Sequence, residues 1–298
     1  MRPLRLLLLY VLAVFLGGAL LAPWAWKGVQ WAAAHGPVLQ PLAQQPFHRF
    51  VNRCLLATAL AGLWPLCRTL SPGPSQHHGW VGTWPRPLAI GAGMGIAALG
   101  SILLAAALSK AAVLHSVLDL APVARRVLSS LATAAAVATV EEWLFRGIIH
   151  GALRRSLSFP VTATITSLLY ALVHFFDRPP APPDVNAATG LWTLGQMLRG
   201  FLDIHALVPG LLNLFVAGWT LALARERSGS LALPIGIHAG WVLTIKGQSA
   251  FVAFAAASSP TLWGSHKVFD GYAASLALAI QLLVVHRLAR RPPMAAAT

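Results

Sequence analysis

An all-α bundle of about eight membrane helices is the architecture this sequence predicts, and three observations predict it. Of its 298 residues 57% are hydrophobic and only 10% are charged, whereas a soluble domain carries about a quarter charged residues. Apolar runs long enough to cross roughly 30 Å of hydrocarbon recur from end to end. Between those runs lie Lys, Arg, Trp and Pro, the residues of interfacial anchors and turns. One polytopic membrane domain is expected, with no stretch polar enough for a separate soluble one.

The first run, 4–26, follows Arg2 and Arg5 and ends in Pro23-Trp24-Ala25-Trp26-Lys27. It exceeds the apolar region of a cleaved signal peptide, so it is expected to stay as the first span. The second, 51–70, holds both cysteines, Cys54 and Cys67. On one helix these lie about 20 Å apart, beyond disulfide reach. Runs 88–110, 127–150, 160–176, 207–225 and 271–288 read as further spans. Run 231–248 is the weakest, interrupted by Pro234, Gly236, His238 and Gly240; a broken polar segment at depth is expected to face protein or a cavity. Connections 71–87 and 177–206 are rich in Pro and Gly and read as loops. Within the second, Pro179-Pro180-Ala181-Pro182-Pro183 is extended, and 187–206 includes a short surface helix. With a cytoplasmic N-terminus the inside connections are the shorter ones and the denser in Lys and Arg. That predicts a cell (inner) membrane protein with both termini cytoplasmic.

The net charge is +14, from 22 Lys and Arg against eight acids. The cations are scattered in ones, twos and threes, with no stripe to follow a phosphate backbone, which argues against a nucleic-acid partner. Anchoring to anionic headgroups explains them, so the lipid bilayer is the first partner expected.

Six of the acids fall at the ends of apolar runs or in connections. Glu141 and Glu142 do not: with Arg146 they sit deep in run 127–150. A charge there costs at least about 2.5 kcal/mol and marks a functional site. On a helix, Glu142 and Arg146 are one turn apart with the acid first, the favourable order for an ion pair. Glu141 is then left unmatched on its own helix, able to take a proton from water. Tyr170 and His174 are expected on one face at the end of the fifth span. His238, in the middle of an apolar run, needs a partner inside the bundle. A carboxylate and two imidazoles from three spans can converge in a bundle core. One acid and one histidine would deprotonate a water, and a second histidine would hold the oxyanion formed on a carbonyl. Peptide-bond hydrolysis is the reaction this points to, on a peptide or protein substrate entering from the membrane. No seryl elbow, Walker loop or His-Glu-x-x-His is present. A proton-coupled transporter using Glu141, Glu142 and Arg146 as a relay is the alternative, without a discontinuous repeat pair to support it.

The series Glu141-Glu142-x-x-x-Arg146, Tyr170-x-x-x-His174 and the motif centred on His238 resembles the CPBP family of intramembrane proteases. That family includes CAAX proteases and bacteriocin-processing proteins, and is related to the Ras-converting CAAX endopeptidase. The resemblance covers roughly 125–248. It implies family-variable helices in 1–120, a catalytic core in 121–250, and a last helix and basic tail in 251–298. It also implies a helical bundle of about eight spans in which Glu141 and His174 activate water and His238 stabilises the oxyanion. Glu142, Arg146, Tyr170, Asn213 and Trp241 would support them. The family has been described both as glutamic and as metallo-endopeptidases. No cofactor is required, though Glu141, His174 and His238 are a legitimate zinc set. Two departures stand out: Tyr170 where Phe is usual, and Val242 where the family carries Asn or Asp. Losing an oxyanion donor costs about 10²–10³ in rate. Thr244, Asn213 or the Trp241 N–H is expected to replace it. Otherwise the chain is a non-catalytic membrane binding or immunity protein on the same frame. His150 reads as structural, Arg154 and Arg155 as anchors, and Trp143 and Trp241 as walls that keep the site dry.

Overall fold

The computed structural model describes residues 2–70, 83–115, 119–202, 204–256, 258–264 and 268–288. His77, His78 and His266 and the basic tail beyond 288 lie outside them. The chain begins with α1 (Arg2–His35), a short α2 (Gln40–Ala43) and α3 (Phe47–Leu70). Next come α4 (Pro85–Leu108), strand β1 (Ala112–Leu114) and α5 (Leu120–Glu142), which passes through a π-helical segment (Trp143–Ile149) into α6 (His150–Arg154). Then follow α7 (Phe159–Leu172), α8 (Thr189–Met197), α9 (Ile204–Ser228) and α10 (Ala232–Gly247). Strand β2 (Val252–Phe254), α11 (Pro260–Trp263) and α12 (Tyr272–Leu288) complete the order. Every predicted run contains a helix and the fold is all-α. The strands make one short antiparallel ribbon, with Ala112 opposite Phe254.

By length and composition, α1, α4, the continuous α5–α6 and α9 can cross a membrane, while α7 and α12 are shorter apolar helices. Leu8, Leu9 and Leu12 on α1 and Leu276 and Leu283 on α12 are exposed. A soluble helix would bury such a stripe and a lipid-facing one does not, so this is an integral membrane protein.

The chain forms two compact units. In the first, comprising 1–73 and 174–204, α1 packs on α3 and α8 around Ala22, Phe47, Val51 and Met197. Gly18 admits Leu55 of α3 against the α1 backbone; a Cβ there would lie 2.7 Å from Leu55 Cα. Trp24 and Trp64 are exposed, with Lys27 and Arg68 5.7 and 3.9 Å from their ring centroids. Cation and aromatic together suit the headgroup layer. The α1 helix runs on past the predicted end at Trp26 to His35, and Cys54 is a free thiol.

In the second unit, comprising 74–173 and 205–298, α10 lies between α4 and α5. Gly91 and Gly95 of α4 face Gly236 and Gly240 of α10. A Cβ on any of the four would strike a backbone carbonyl across the seam: Leu233, Ile237, Leu88 and Ala92 respectively. These are two Gly-x-x-x-Gly pairs, the arrangement that lets membrane helices touch backbone to backbone. The glycines that look like interruptions of run 231–248 are therefore its contact face. His238 lies two positions from each, about 200° round the helix, on the side away from α4. Replacing Gly95 or Gly240 by Val should exceed the usual overpacking cost of about 1–3 kcal/mol, because the clash is with backbone. Gly93→Val, on the same helix with nothing within 4 Å, is the control. Denaturant unfolding in mixed micelles checks this; equal stability of all three variants would refute it.

Candidate active site

The site begins where α5 changes pitch. The His150 N–H donates to the Phe145 carbonyl, one residue further back than an α-helical bond, and π segments of this kind collect at functional sites. Glu142 and Arg146 are fully buried, and Arg146 Nη1 donates to Glu142 Oε1 at 3.1 Å, the pair expected from their spacing. Arg146 Nη2 donates to the Gly218 carbonyl of α9 at 3.1 Å, and the guanidinium lies 4.6 Å from the ring centroid of Tyr170 on α7. One side chain thus joins three helices.

From α10, His238 Nδ1 stands 2.8 Å from the same Glu142 Oε1. A carboxylate held by arginine only accepts, so Nδ1 is the donor. On the other edge of the ring, Nε2 is 3.9 Å from Glu141 Oε2. Glu141 thus faces His238 across the helix interface. The neighbouring acids differ in access: the Glu142 side chain is 0% exposed and that of Glu141 27%. One is sealed inside and the other can be reached.

Aromatic rings surround the imidazole. Tyr170, buried, stands edge-on to His238 at 6.1 Å and to Phe145 at 5.4 Å. Trp241 lies 6.3 Å from His238. The α7 helix ends at Leu172, Val173 caps it, and His174 follows in the turn, exposed and part of the first unit.

The donors expected to stand in for the amide absent at Val242 are each engaged elsewhere. Asn213 gives its two amide hydrogens to the Phe269 and Gly271 carbonyls, at 2.8 and 3.0 Å, and accepts from Ser275 Oγ at 2.6 Å. It fastens α9 to the start of α12. Trp241 Nε1 donates to Gln281 Oε1 at 2.9 Å, and Thr244 Oγ1 to the Gly240 carbonyl at 2.9 Å. Gln281 was missed by sequence reasoning, although an amide inside an apolar span signals an interhelical partner. Gln281→Leu strands a buried indole N–H and should cost about 1–3 kcal/mol. Adding Trp241→Phe should recover part of that loss in thermal unfolding; no recovery would disprove the link.

His150, also buried, has Nδ1 3.5 Å from Thr166 Oγ1 and Nε2 3.9 Å from Glu226 Oε2. Arg154, expected as a lipid anchor, instead donates twice to Glu226, at 3.2 and 2.8 Å. Burial and these contacts fit the structural role expected of His150. Among the described residues, no three His, Cys, Asp or Glu side chains gather in a way that could hold a metal ion.

Residues 123–244 match the family model described as Type II CAAX prenyl endopeptidase Rce1-like. No curated protein and no solved structure matches the chain. The matched segment contains all three motifs in order, from Glu141 to His238. The resemblance read from those motifs therefore holds over this segment: residues 123–244 are similar to the Rce1-like CAAX prenyl endopeptidases.

Proposed function

We propose that the protein is an intramembrane endopeptidase with Glu141, His174 and His238 as its catalytic residues. The family match supports an intramembrane CAAX endopeptidase in general. One observation carries the finer reading: His238 is held between two adjacent glutamates, one buried and ion-paired, the other accessible. The 3.9 Å between Glu141 Oε2 and His238 Nε2 is too long for a direct hydrogen bond, and one water oxygen can bridge it. Glu141 takes a proton from the attacking water, and the water oxygen adds to the peptide carbonyl. The His238 N–H meets the oxyanion. As the C–N bond breaks, Glu141 returns its proton to the departing amine. His174 assists Glu141 on the water. For His238 to donate to the oxyanion through Nε2, Nδ1–H stays on Glu142, so the ring acts as imidazolium. Glu142 and Arg146 set that ring's orientation.

Zinc would add Lewis-acid chemistry at Glu141, His174 and His238. Two ligands on tetrahedral zinc at about 2.0–2.1 Å lie about 3.4 Å apart, and Glu141 with His238 supplies only two donors at 3.9 Å. That pair alone does not fit the metal, and no step above uses one. Cleavage of a membrane-embedded peptide in proteoliposomes is expected to persist under excess chelator. Loss on chelation with recovery on zinc would make the enzyme a metallo-endopeptidase.

We also propose the orientation, from the second unit alone. Gly91 and Gly95 meet Gly236 and Gly240 in ascending order, so α4 and α10 run parallel. The Arg154–Glu226 and Arg227–His286 contacts bring the ends of α6, α9 and α12 together. Arg86, Arg154, Arg155, Arg225, Arg227 and Arg287 thus share one end with Glu226. Lys110, Arg125, Arg126 and Lys246 share the other with Asp119 and Asp270. The more basic end is cytoplasmic by the positive-inside rule. From it, Glu142 lies about 18 Å along its helix and His238 about 9 Å along α10, within the membrane.

A second reading, a non-catalytic binding protein, is favoured by Val242 and by the engagement of Asn213, Trp241 and Thr244 elsewhere. It predicts substrate capture without cleavage by the wild type.

A further inference from the structure

A crevice at the basic end of the second unit takes no part in the proposed chemistry. It has a volume of about 910 Å³ between α7, α9 and α12, with Phe159, Trp219 and Leu282 among its walls and Arg227 and His286 at its rim. Glu226 also lines it, but that carboxylate is taken by two N–H groups of Arg154. The rim also carries a cation, Arg227, whose Nη2 donates to the His286 ring at 3.1 Å. Trp219 is about 12 Å along α9 from Arg227, so the apolar wall reaches well below the cationic rim. A ligand fitting both parts has a negatively charged head and a hydrocarbon tail of at least that reach. Cationic pockets between membrane helices hold anionic lipid headgroups in this way.

We propose that the crevice is a site for one anionic glycerophospholipid, its phosphate on Arg227 and His286 and an acyl chain along Trp219 and Leu282. The occupant would bear on the catalytic frame. Trp219 stands edge-on to Phe159 at 5.5 Å, and Phe159 is 6.1 Å from the His150 ring. Trp219 also directly follows Gly218, whose carbonyl holds Arg146. A lipid filling the crevice buttresses α9 at the residue next to that bond. This consequence rests on the proposed peptidase; the binding itself does not.

The test uses the full-length protein in phosphatidylcholine nanodiscs, titrated with dibrominated phosphatidylglycerol or dibrominated phosphatidylcholine while tryptophan fluorescence is read. The anionic lipid should quench at about five-fold lower mole fraction, as expected for one cation worth about 1 kcal/mol near the surface. The difference should vanish in Trp219→Phe, which removes the reporter, and in Arg227→Gln, and survive in Arg227→Lys. Equal quenching by the two lipids, or a preference untouched by Arg227→Gln, overturns the proposal. So does reversal of quenching by millimolar inorganic phosphate, which would mark a site for the free ion. Peptide cleavage in the same discs is a separate readout: binding without any cleavage counts against the peptidase and leaves the lipid site standing.

Discussion

Glu141→Gln should remove peptide-bond cleavage and leave the helices in place. The carboxylate is the only reachable acid of the pair, at 27% side-chain exposure against 0% for Glu142, and the base that takes the proton from water must meet water. An amide of the same shape cannot accept that proton at neutral pH. The loss should fall in the range of about 10²–10⁴-fold that a positioned general base contributes. Stability should change by less than about 0.5 kcal/mol, as for a partly exposed substitution outside the buried network. The two measurements belong together: initial rates in proteoliposomes, and unfolding of the same preparation. A variant that cleaves at the wild-type rate ends the glutamate mechanism.

Arg146→Met should cost stability as well as activity. It leaves the Glu142 carboxylate buried without its cation and strips a donor from Gly218 and a cation from the Tyr170 ring. Breaking a buried pair from one side costs about 3–5 kcal/mol. Lysine should not rescue it, since one ammonium cannot replace the fork that reaches both Glu142 and Gly218. Removing both charges, Glu142→Leu with Arg146→Met, should return much of the stability, because apolar replacements of buried pairs are tolerated. It should not return activity: His238 then has no acceptor for its Nδ1–H. Denaturant unfolding of the single and double variants, with rates on each, checks both halves. A double variant as active as wild type would show that Glu142 does not position His238.

The parts of this architecture written in composition and spacing were legible, and those made by cross-helix contact were not. Eight apolar runs announced eight helices, and the i, i+4 placement of Glu142 and Arg146 announced their ion pair. The π segment at Trp143–Ile149 has no such signature, since a shift of hydrogen-bond register leaves residue types unchanged. Gly236 and Gly240 were visible but looked like damage to a span; only beside Gly91 and Gly95 do they become a contact face. Asn213 carried a readable signal, a buried amide requiring partners, yet which acceptors it finds depends on where α12 starts. The same holds for Trp241 and Gln281, distant in sequence and joined only by the fold. The end of α7 was not legible either: the apolar run continues to Phe176, whereas the helix stops at Leu172 and His174 follows in the turn.

The proposed site depends on α5 and α10 bringing Glu141 and His238 together. Thiol cross-linking in native membranes measures that directly, using a Cys54→Ala, Cys67→Ala background carrying Glu141→Cys and His238→Cys. A short flexible bis-thiol reagent should join the pair efficiently in wild-type backbone and poorly once Gly240→Val pushes α10 from its seat. No cross-link in the unmodified backbone, with both thiols open to single-thiol labelling, would contradict the site at its foundation.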